Sequence, residues 1–261
     1  LHKAIRRQRQ MCIRDSICTS LISCSNSYQQ SQNLEIPINT IERAENIYYR
    51  LGYTVSFNPE LNIPNWVAWE LNSSKLVEKE SRAGHFYPDP DIPRGIAVET
   101  GDYSNSGYDR GHMCPAADNK WDKQAMRESF YMTNICPQHH NLNRGDWKEL
   151  EDDCRRWVEE SGTIYIACGP ILYKNDISYI GEERKIRVPN AFFKVILAGL
   201  DEGKPRAIGF IYKNASGNNP LDHYVNSVDQ VERITGLDFF SQLPDDVENE
   251  IESNYNLNQW R

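Results

Sequence analysis

The sequence predicts a single α+β domain, in which a central antiparallel sheet is flanked by helices. Segments of strand-like and helical character follow one another without the regular alternation of a doubly wound sheet. From about Leu34 onward the composition is steady, with no repeat and no long linker. The chain has 261 residues, which is enough for one sizeable hydrophobic core. We therefore expect one domain over residues 34–261, preceded by a separate leader over residues 1–33.

Five segments are typical of strands, because they are rich in β-branched and aromatic residues and are bounded by turn-forming residues. They cover residues 65–71, 129–135, 163–168, 191–197 and 206–212. The third of these is expected to stop at the Gly169-Pro170 pair, since proline cannot donate a ladder hydrogen bond.

Three segments are predicted to be helices. In residues 146–160 the apolar side chains share roughly a third of the helical circumference, as in a helix that packs one face on a core. A second helix is expected to begin after Ser227 and to end at Gly236, because serine is a favoured N-cap and glycine a favoured residue just past a helix end. A third begins near Pro244 and carries the acidic run 245–252.

The charge balance constrains the function. The formal net charge is −8, and an acidic protein is repelled by a polyanion. Any nucleic-acid function must therefore depend on a local cluster of arginine and lysine side chains. No apolar stretch approaches 18 residues, so no transmembrane helix is expected.

The leader is not typical of a folded domain. Residues 7–16 (RQRQMCIRDS) resemble translated sequencing-adapter sequence, and residues 21–24 (LISC) resemble a bacterial lipobox. The apolar run before Cys24 is short for a signal peptide, as if the signal were truncated. Residues 25–33 are polar and suit a tether. These features favour a secreted or cell-envelope location with a lipid anchor at Cys24; an irregular native N-terminus is the alternative.

Four of the seven cysteines fall within the predicted domain: Cys114, Cys136, Cys154 and Cys168. An even number is expected of a domain in an oxidising compartment. The first pairings to test are Cys114 with Cys136 and Cys154 with Cys168. Four reduced thiols in the core are an equally weighted alternative.

Residues suited to phosphodiester hydrolysis are concentrated between positions 108 and 156. The motifs are DRGH at 109–112, TNICPQ at 133–138 and LNRGDWKELE at 142–151. Hydrolysis needs a base, a cation and positive side chains on the phosphate. Histidine is the natural base near neutral pH, an amide oxygen can bind Mg²⁺, and arginine binds phosphate oxygens in pairs. Glu151 and Arg155, four residues apart, share the shoulder of the predicted helix and can reach a cleft.

These three ordered motifs resemble the DNA/RNA nonspecific endonucleases of the ββα-metal (His-Me finger) group. The likeness continues at residues 169–170, 189–195 and 235–240, so it covers most of residues 60–245. It implies an α+β fold with a ββα-metal finger on one face of the sheet. It also implies DNA and RNA as substrates and products that carry 5′-phosphate ends.

The resemblance implies roles in catalysis and metal binding for three residues. His112 would be the general base that activates water. Asn143 would be the single direct protein ligand of Mg²⁺, for which Mn²⁺ or another divalent cation can substitute. Glu151 would hold a metal-bound water.

Five further residues have implied supporting roles. Arg110 and Arg155 would bind phosphate or stabilise the transition state, and Arg82 stands, on a looser alignment, at the position of another family arginine. Asn134 would orient the site, and Asp109 would be structural.

Two alternatives remain open. His112, Cys114, Cys136 and His139 have spacings that can bind zinc in a tetrahedral site, although such a site leaves Asn143 and Glu151 unexplained. The chain could also be a noncatalytic surface binding module on a degenerate nuclease fold, which the intact motifs disfavour.

Overall fold

The computed structural model describes residues 33–260. The strands are β1 (Ile38–Asn39), β2 (Asn46–Tyr49), β3 (Thr54–Asn58), β4 (Ile63–Leu71), β5 (Asp109–His112), β6 (Ile135–Gln138), β7 (Ile164–Ile171), β8 (Tyr179–Ile180), β9 (Ile186–Arg187), β10 (Ala191–Ala198), β11 (Arg206–Lys213), β12 (Val225–Asn226) and β13 (Leu237–Asp238). The helices are α1 (Lys123–Ser129), α2 (His140–Arg144), α3 (Asp146–Ser161), α4 (Val228–Thr235) and α5 (Asp245–Ser253).

Seven strands form the central sheet in the order β12-β11-β10-β7-β4-β3-β2. Every neighbouring pair in it is antiparallel. The pairs β5–β6, β8–β9 and β1–β13 form separate two-stranded ladders. The predicted α+β class with a central antiparallel sheet is confirmed.

The sheet separates two hydrophobic cores. Side chains alternate along a strand, so Phe192 and Ile196 of β10 enter one core and Phe193 enters the other. The first core also contains Trp147 and Leu150 of α3, and the second contains Val231 of α4. Helix α3 therefore covers one face of the sheet and α4 with α5 the other, which explains why β10 is almost continuously apolar.

Four of the five predicted strands are confirmed as β4, β7, β10 and β11. Strand β7 continues through Gly169-Pro170 to Ile171 instead of stopping before them. The strand predicted over residues 129–135 is wrong, because Ser129 ends α1, a 3-10 turn follows, and β6 begins only at Ile135. Helix α1 was not predicted; the Asp122 side chain caps it by accepting hydrogen bonds from two backbone N–H groups.

The three predicted helices are confirmed as α3, α4 and α5. Ser227 caps α4 by accepting from Gln230 N, and Gly236 ends it with a left-handed φ of 67°. Within residues 33–260, no helix combines the length and apolar character needed to cross a bilayer. Residues 1–32, which include the adapter-like segment and Cys24, lie outside the described residues, and the location inferred from them stays a prediction.

Candidate active site

The motif DRGH forms strand β5, which pairs with β6 in a short antiparallel hairpin. The register joins Asp109 to Gln138 and His112 to Ile135. At Gly111 a Cβ atom would lie 2.2 Å from Gln138 Oε1 and 2.6 Å from Gln138 Cβ, so glycine is required for the two strands to approach. Helices α2 and α3 follow β6 directly, which completes a β-hairpin followed by helix.

His112 is almost fully buried between two aromatic rings. Its ring centroid lies 5.3 Å from that of Phe86 and 4.8 Å from that of Phe130. Within the described residues its Nε2 atom is buried without a hydrogen-bond partner. Burial, and secondarily the positive charge of Arg82, lower the pKa of His112 to about 3. The imidazole is therefore neutral at physiological pH.

Asn143 lies in α2, where Asp109 holds its side chain. Asn143 Nδ2 donates to Asp109 Oδ2 at 3.0 Å, and Arg144 Nε donates to the same oxygen at 2.9 Å. His140 Nδ1 lies 2.6 Å from Asp109 Oδ1. Burial alone would raise the pKa of Asp109, but these hydrogen bonds outweigh it and lower the pKa. Because the amide nitrogen is committed to Asp109, Oδ1 is the atom of Asn143 that can face a cation.

Two contacts connect the segments that carry His112 and Asn143. Asp109, which holds Asn143, is three residues from His112 on the same strand. Trp147 Nε1, at the start of α3, donates to the His112 carbonyl oxygen at 3.4 Å. These contacts place β5 beside α2 and the start of α3, and the convergence of His112 and Asn143 on one cleft stays a prediction.

Glu151 and Arg155 both project from α3. Arg155 Nη1 donates to the buried Asp118 Oδ1 at 2.7 Å, and its Nη2 contacts Asp152. The ion pairs of Arg155 are thus with these two aspartates rather than with Glu151. Burial raises the pKa of Glu151 to about 7, while Lys194 opposes the shift.

Arg110 and Arg82 flank the two rings that enclose His112. The Arg110 guanidinium lies 5.3 Å from the centroid of Phe86, and the Arg82 guanidinium lies 5.2 Å from that of Phe130. Arg110 Nη2 also donates to the Thr100 carbonyl at 3.5 Å. Two positive side chains therefore lie at the edge of the histidine site.

Asn134 is a positioning residue, because its amide is used entirely within the protein. It is fully buried. Its Oδ1 accepts from Cys114 N at 2.9 Å, and its Nδ2 donates to the carbonyl oxygens of Cys114 and Ser129 at 2.9 and 2.8 Å. These bonds fix the chain two residues after His112, and the role of Asn134 in orienting the site stays a prediction.

Two buried ionisable residues next to the site did not emerge as candidates from the sequence. Asp118 accepts from Trp69 Nε1 at 3.1 Å in addition to Arg155. Lys194 is fully buried on β10, with its Nζ 4.5 Å from the centroid of the Trp147 ring. A lysine in the middle of the apolar run 191–197 was a visible signal, whereas Asp118 sits in a turn with no distinguishing pattern.

The four cysteines of the domain are free, buried thiols. The expected pairings of Cys114 with Cys136 and of Cys154 with Cys168 are therefore wrong, and the alternative of four reduced core thiols is correct. Cys168 Sγ instead donates to the Met113 carbonyl oxygen at 3.3 Å.

The zinc alternative is also wrong. Within residues 33–260, the group of histidine, cysteine and acidic side chains close enough to share an ion is an acidic trio elsewhere in the fold, and it contains neither His112 nor His139. The hairpin register explains this, because Cys136 is paired with Gly111 and not with His112. Adjacent positions on a strand point to opposite faces.

A cleft of about 520 Å³ lies beside the segment that carries Phe86. Its lining includes Tyr87, Arg94, Arg127 and Tyr131. The guanidinium of Arg127 lies 4.5 Å from the centroid of the Tyr87 ring. The carboxylates of Asp89 and Glu99 also line this cleft.

A β-hairpin followed by helices, with histidine on the first strand and asparagine in the short helix before α3, is the arrangement of the ββα-metal nuclease fold. The chain belongs to the DNA/RNA non-specific endonuclease family, whose profile matches residues 29–246. Members of this family are generally metal-dependent nucleases.

The chain is similar to several known nucleases. It is 36% identical to the mitochondrial nuclease 1 of Schizosaccharomyces pombe over 210 aligned residues. The alignment covers 74% of this chain and 65% of the relative. It is 36% identical over 211 residues to a nuclease of Nostoc, which covers 77% of this chain and 75% of the relative. A chain of the EndoG/EndoGI complex superposes with a TM-score of 0.70 and 26% identity, over 77% of this chain and 87% of that one. The chain thus spans slightly less than two thirds of the yeast relative.

Proposed function

We propose that the chain is a metal-dependent endonuclease that hydrolyses phosphodiester bonds of both DNA and RNA and leaves 5′-phosphate ends. The observation that carries the proposal is the geometry of β5. This one strand ends in a buried, neutral His112 and begins with Asp109, which holds the amide of Asn143. The proposed base thereby lies on the same four-residue strand as the residue that holds the proposed metal ligand.

The residues present fit a hydrated divalent cation, most simply Mg²⁺, with Mn²⁺ or a similar ion able to replace it. Mg²⁺ prefers oxygen ligands and keeps several of its waters, so one protein oxygen suffices. Asn143 Oδ1 supplies that oxygen, since the amide nitrogen donates to Asp109. Glu151, half-buried on α3, would hold a metal-bound water. When bound, such a cation supplies positive charge that offsets the charge developing on the phosphate.

In this proposal the neutral imidazole of His112 removes a proton from the attacking water. The rings of Phe86 and Phe130 fix the plane of the imidazole. Arg110 and Arg82, with Arg155 anchored by Asp118, are the positive groups that would bind the phosphate oxygens.

The proposed lack of base specificity follows from the groups involved. Arginine, asparagine and histidine at this site would contact the phosphate backbone, and such contacts position the strand without reading its sequence. Binding should therefore weaken as the salt concentration rises.

The experiment compares cleavage of supercoiled plasmid and of RNA with Mg²⁺ or with EDTA. We expect His112→Ala and Asn143→Ala each to lower the rate by about 100- to 10,000-fold, and the products to be ligatable without a kinase. His223→Ala, an exposed histidine on a 3-10 turn, is the matched control and should cleave normally. Undiminished cleavage by a folded His112→Ala protein would exclude the mechanism. Binding without cleavage by the unmodified protein would favour the noncatalytic alternative.

A further inference from the structure

Acidic side chains meet on the face of the sheet opposite to the candidate active site. Asp229 and Glu232 lie one turn apart on α4, and Glu252 lies on α5. One carboxylate oxygen from each of the three lies within 4.8 Å of the others. Since α4 packs in the second hydrophobic core and α3 in the first, the sheet separates this cluster from His112.

The carboxylate of Glu252 carries an unsatisfied oxygen. The residue is only 2% exposed, and within residues 33–260 its Oε1 is buried without a hydrogen-bond partner. A buried carboxylate oxygen without a partner is costly, because it has lost its water and gained nothing in exchange. Glu232 is better placed, since it accepts from Phe239 N at 2.8 Å through Oε1, which leaves its second oxygen for another partner.

The charges that act most strongly on Glu252 are negative. After burial itself, they come from the carboxylates of Glu232, Glu248, Asp238 and Asp229. Burial and this repulsion raise the pKa of Glu252 to about 10, and burial first of all raises that of Glu232 to about 8. The cluster therefore has a strong affinity for positive charge, either as protons or as a metal ion.

The type and number of the ligands favour one class of cation. Ca²⁺ takes about six to eight oxygen ligands, carboxylates among them, in a flexible geometry, whereas Mg²⁺ demands near-ideal octahedral geometry and gives up its waters reluctantly. Three carboxylates with oxygens within 4.8 Å of one another can therefore supply part of the coordination sphere of Ca²⁺.

We propose that Asp229, Glu232 and Glu252 bind a divalent cation of the Ca²⁺ type, which joins α4 to α5. The ion supplies the missing partner of Glu252 and neutralises the repulsion between the two helices. The site differs in kind from the finger, because three carboxylates replace the single amide ligand and the ion stabilises the fold without taking part in hydrolysis.

The test titrates Ca²⁺ into the Asn143→Ala protein, in which the finger's metal ligand is removed, with isothermal titration calorimetry. We expect one Ca²⁺ per chain and a rise of about 5 °C in Tm at saturation. Glu252→Gln and Asp229→Asn, each made in the same background, should weaken binding at least tenfold. Both substitutions preserve shape and remove negative charge, so they should fold without Ca²⁺.

Glu250→Gln is the matched control, because Glu250 is an exposed glutamate on the same helix α5. It should bind Ca²⁺ as tightly as its parent. The proposal is overturned if Glu252→Gln binds as tightly as the parent, or if no binding occurs up to about 10 mM Ca²⁺. A rise in the Tm of Glu252→Gln without any Ca²⁺ binding by the parent would show that protons, not a metal, occupy the cluster.

Discussion

Carboxylates on the two faces of the central sheet differ in the charges that surround them. On the face that carries the β5–β6 hairpin and α3, Asp118 pairs with Arg155 and Asp109 pairs with Arg144. On the side of α4 and α5, the strongest influences on Glu252 are other carboxylates. The net charge of −8 belongs to the whole chain and describes neither arrangement, so it does not by itself decide whether one part of the surface can bind a polyanion.

The largest effect expected on the finger side comes from breaking the buried ion pair. Asp118→Asn keeps an acceptor for Trp69 Nε1 but leaves the Arg155 charge without its buried partner. The pair is only partly shielded, since the Arg155 side chain is 21% exposed. We expect a loss of about 2–4 kcal/mol in the free energy of unfolding, measured with urea. Asp152→Asn, which removes the exposed partner of the same arginine, should cost less than about 1 kcal/mol. Equal losses of unfolding free energy in Asp118→Asn and Asp152→Asn would contradict the expected difference between the buried and the exposed partner of Arg155.

The next effect concerns the residue that holds the metal ligand. Asp109→Asn removes the charge that fixes the amide of Asn143 and the guanidinium of Arg144. Partners of metal ligands typically contribute 10- to 100-fold to metal affinity or activity, so we expect cleavage to fall by about that factor. The Mg²⁺ concentration for half-maximal activity should rise, and excess Mg²⁺ should restore part of the rate. A rate that falls without any change in Mg²⁺ dependence would mean that Asp109 acts on folding alone.

The acidic face should make stability depend on pH. An ordinary glutamate has a pKa of 4.5, whereas those of Glu232 and Glu252 are raised to about 8 and about 10. The folded state therefore holds protons that the unfolded chain releases, so the stabilisation is complete below about pH 4.5 and is lost as the pH rises through the folded values. Without Ca²⁺, we expect Tm to fall by several degrees between about pH 6 and 9. The fall in Tm should be smaller in Glu252→Gln. The same dependence of Tm on pH in this variant would refute the contribution of Glu252.

The smallest expected effect is the absence of communication between the faces. Glu252→Gln should cleave plasmid within about twofold of the unmodified rate when Mg²⁺ is supplied, because distant sites without shared partners act independently. The measurement is an initial rate well below Tm. A large loss of cleavage rate in a folded Glu252→Gln protein would show that the two faces of the sheet are coupled.

Much of the fold could be predicted because strong periodicity leaves few choices. The apolar runs at 191–197 and 206–212 and the amphipathic pattern at 146–160 all appear as expected. The failure at 129–135 has a local cause. Strand-like residues such as Tyr131 and Ile135 are divided between the end of α1, a 3-10 turn and β6, and bonds of Asn134 to Cys114 and Ser129 fix the turn. Local propensity cannot predict these hydrogen bonds, because they depend on partners distant in sequence or on a specific geometry.

The residues of the candidate site likewise fall into those that the sequence could predict and those that it could not. The motifs pointed to His112, Asn143 and Glu151 because their chemistry is visible in the residue types. The partner of Arg155 could not be found in this way, since Asp118 is 37 positions away and its contact depends on how α3 lies on the sheet. The cysteines illustrate the converse, because an even count suggested pairs whereas all four are free, buried thiols.

Gly111 makes the β5–β6 hairpin intolerant of substitution at a position whose side chain has no chemistry of its own. Even a methyl group there would collide with Gln138, and a displaced β5 would carry both His112 and Asp109, which holds Asn143, with it. A saturation screen should accordingly find an all-or-none response at this position.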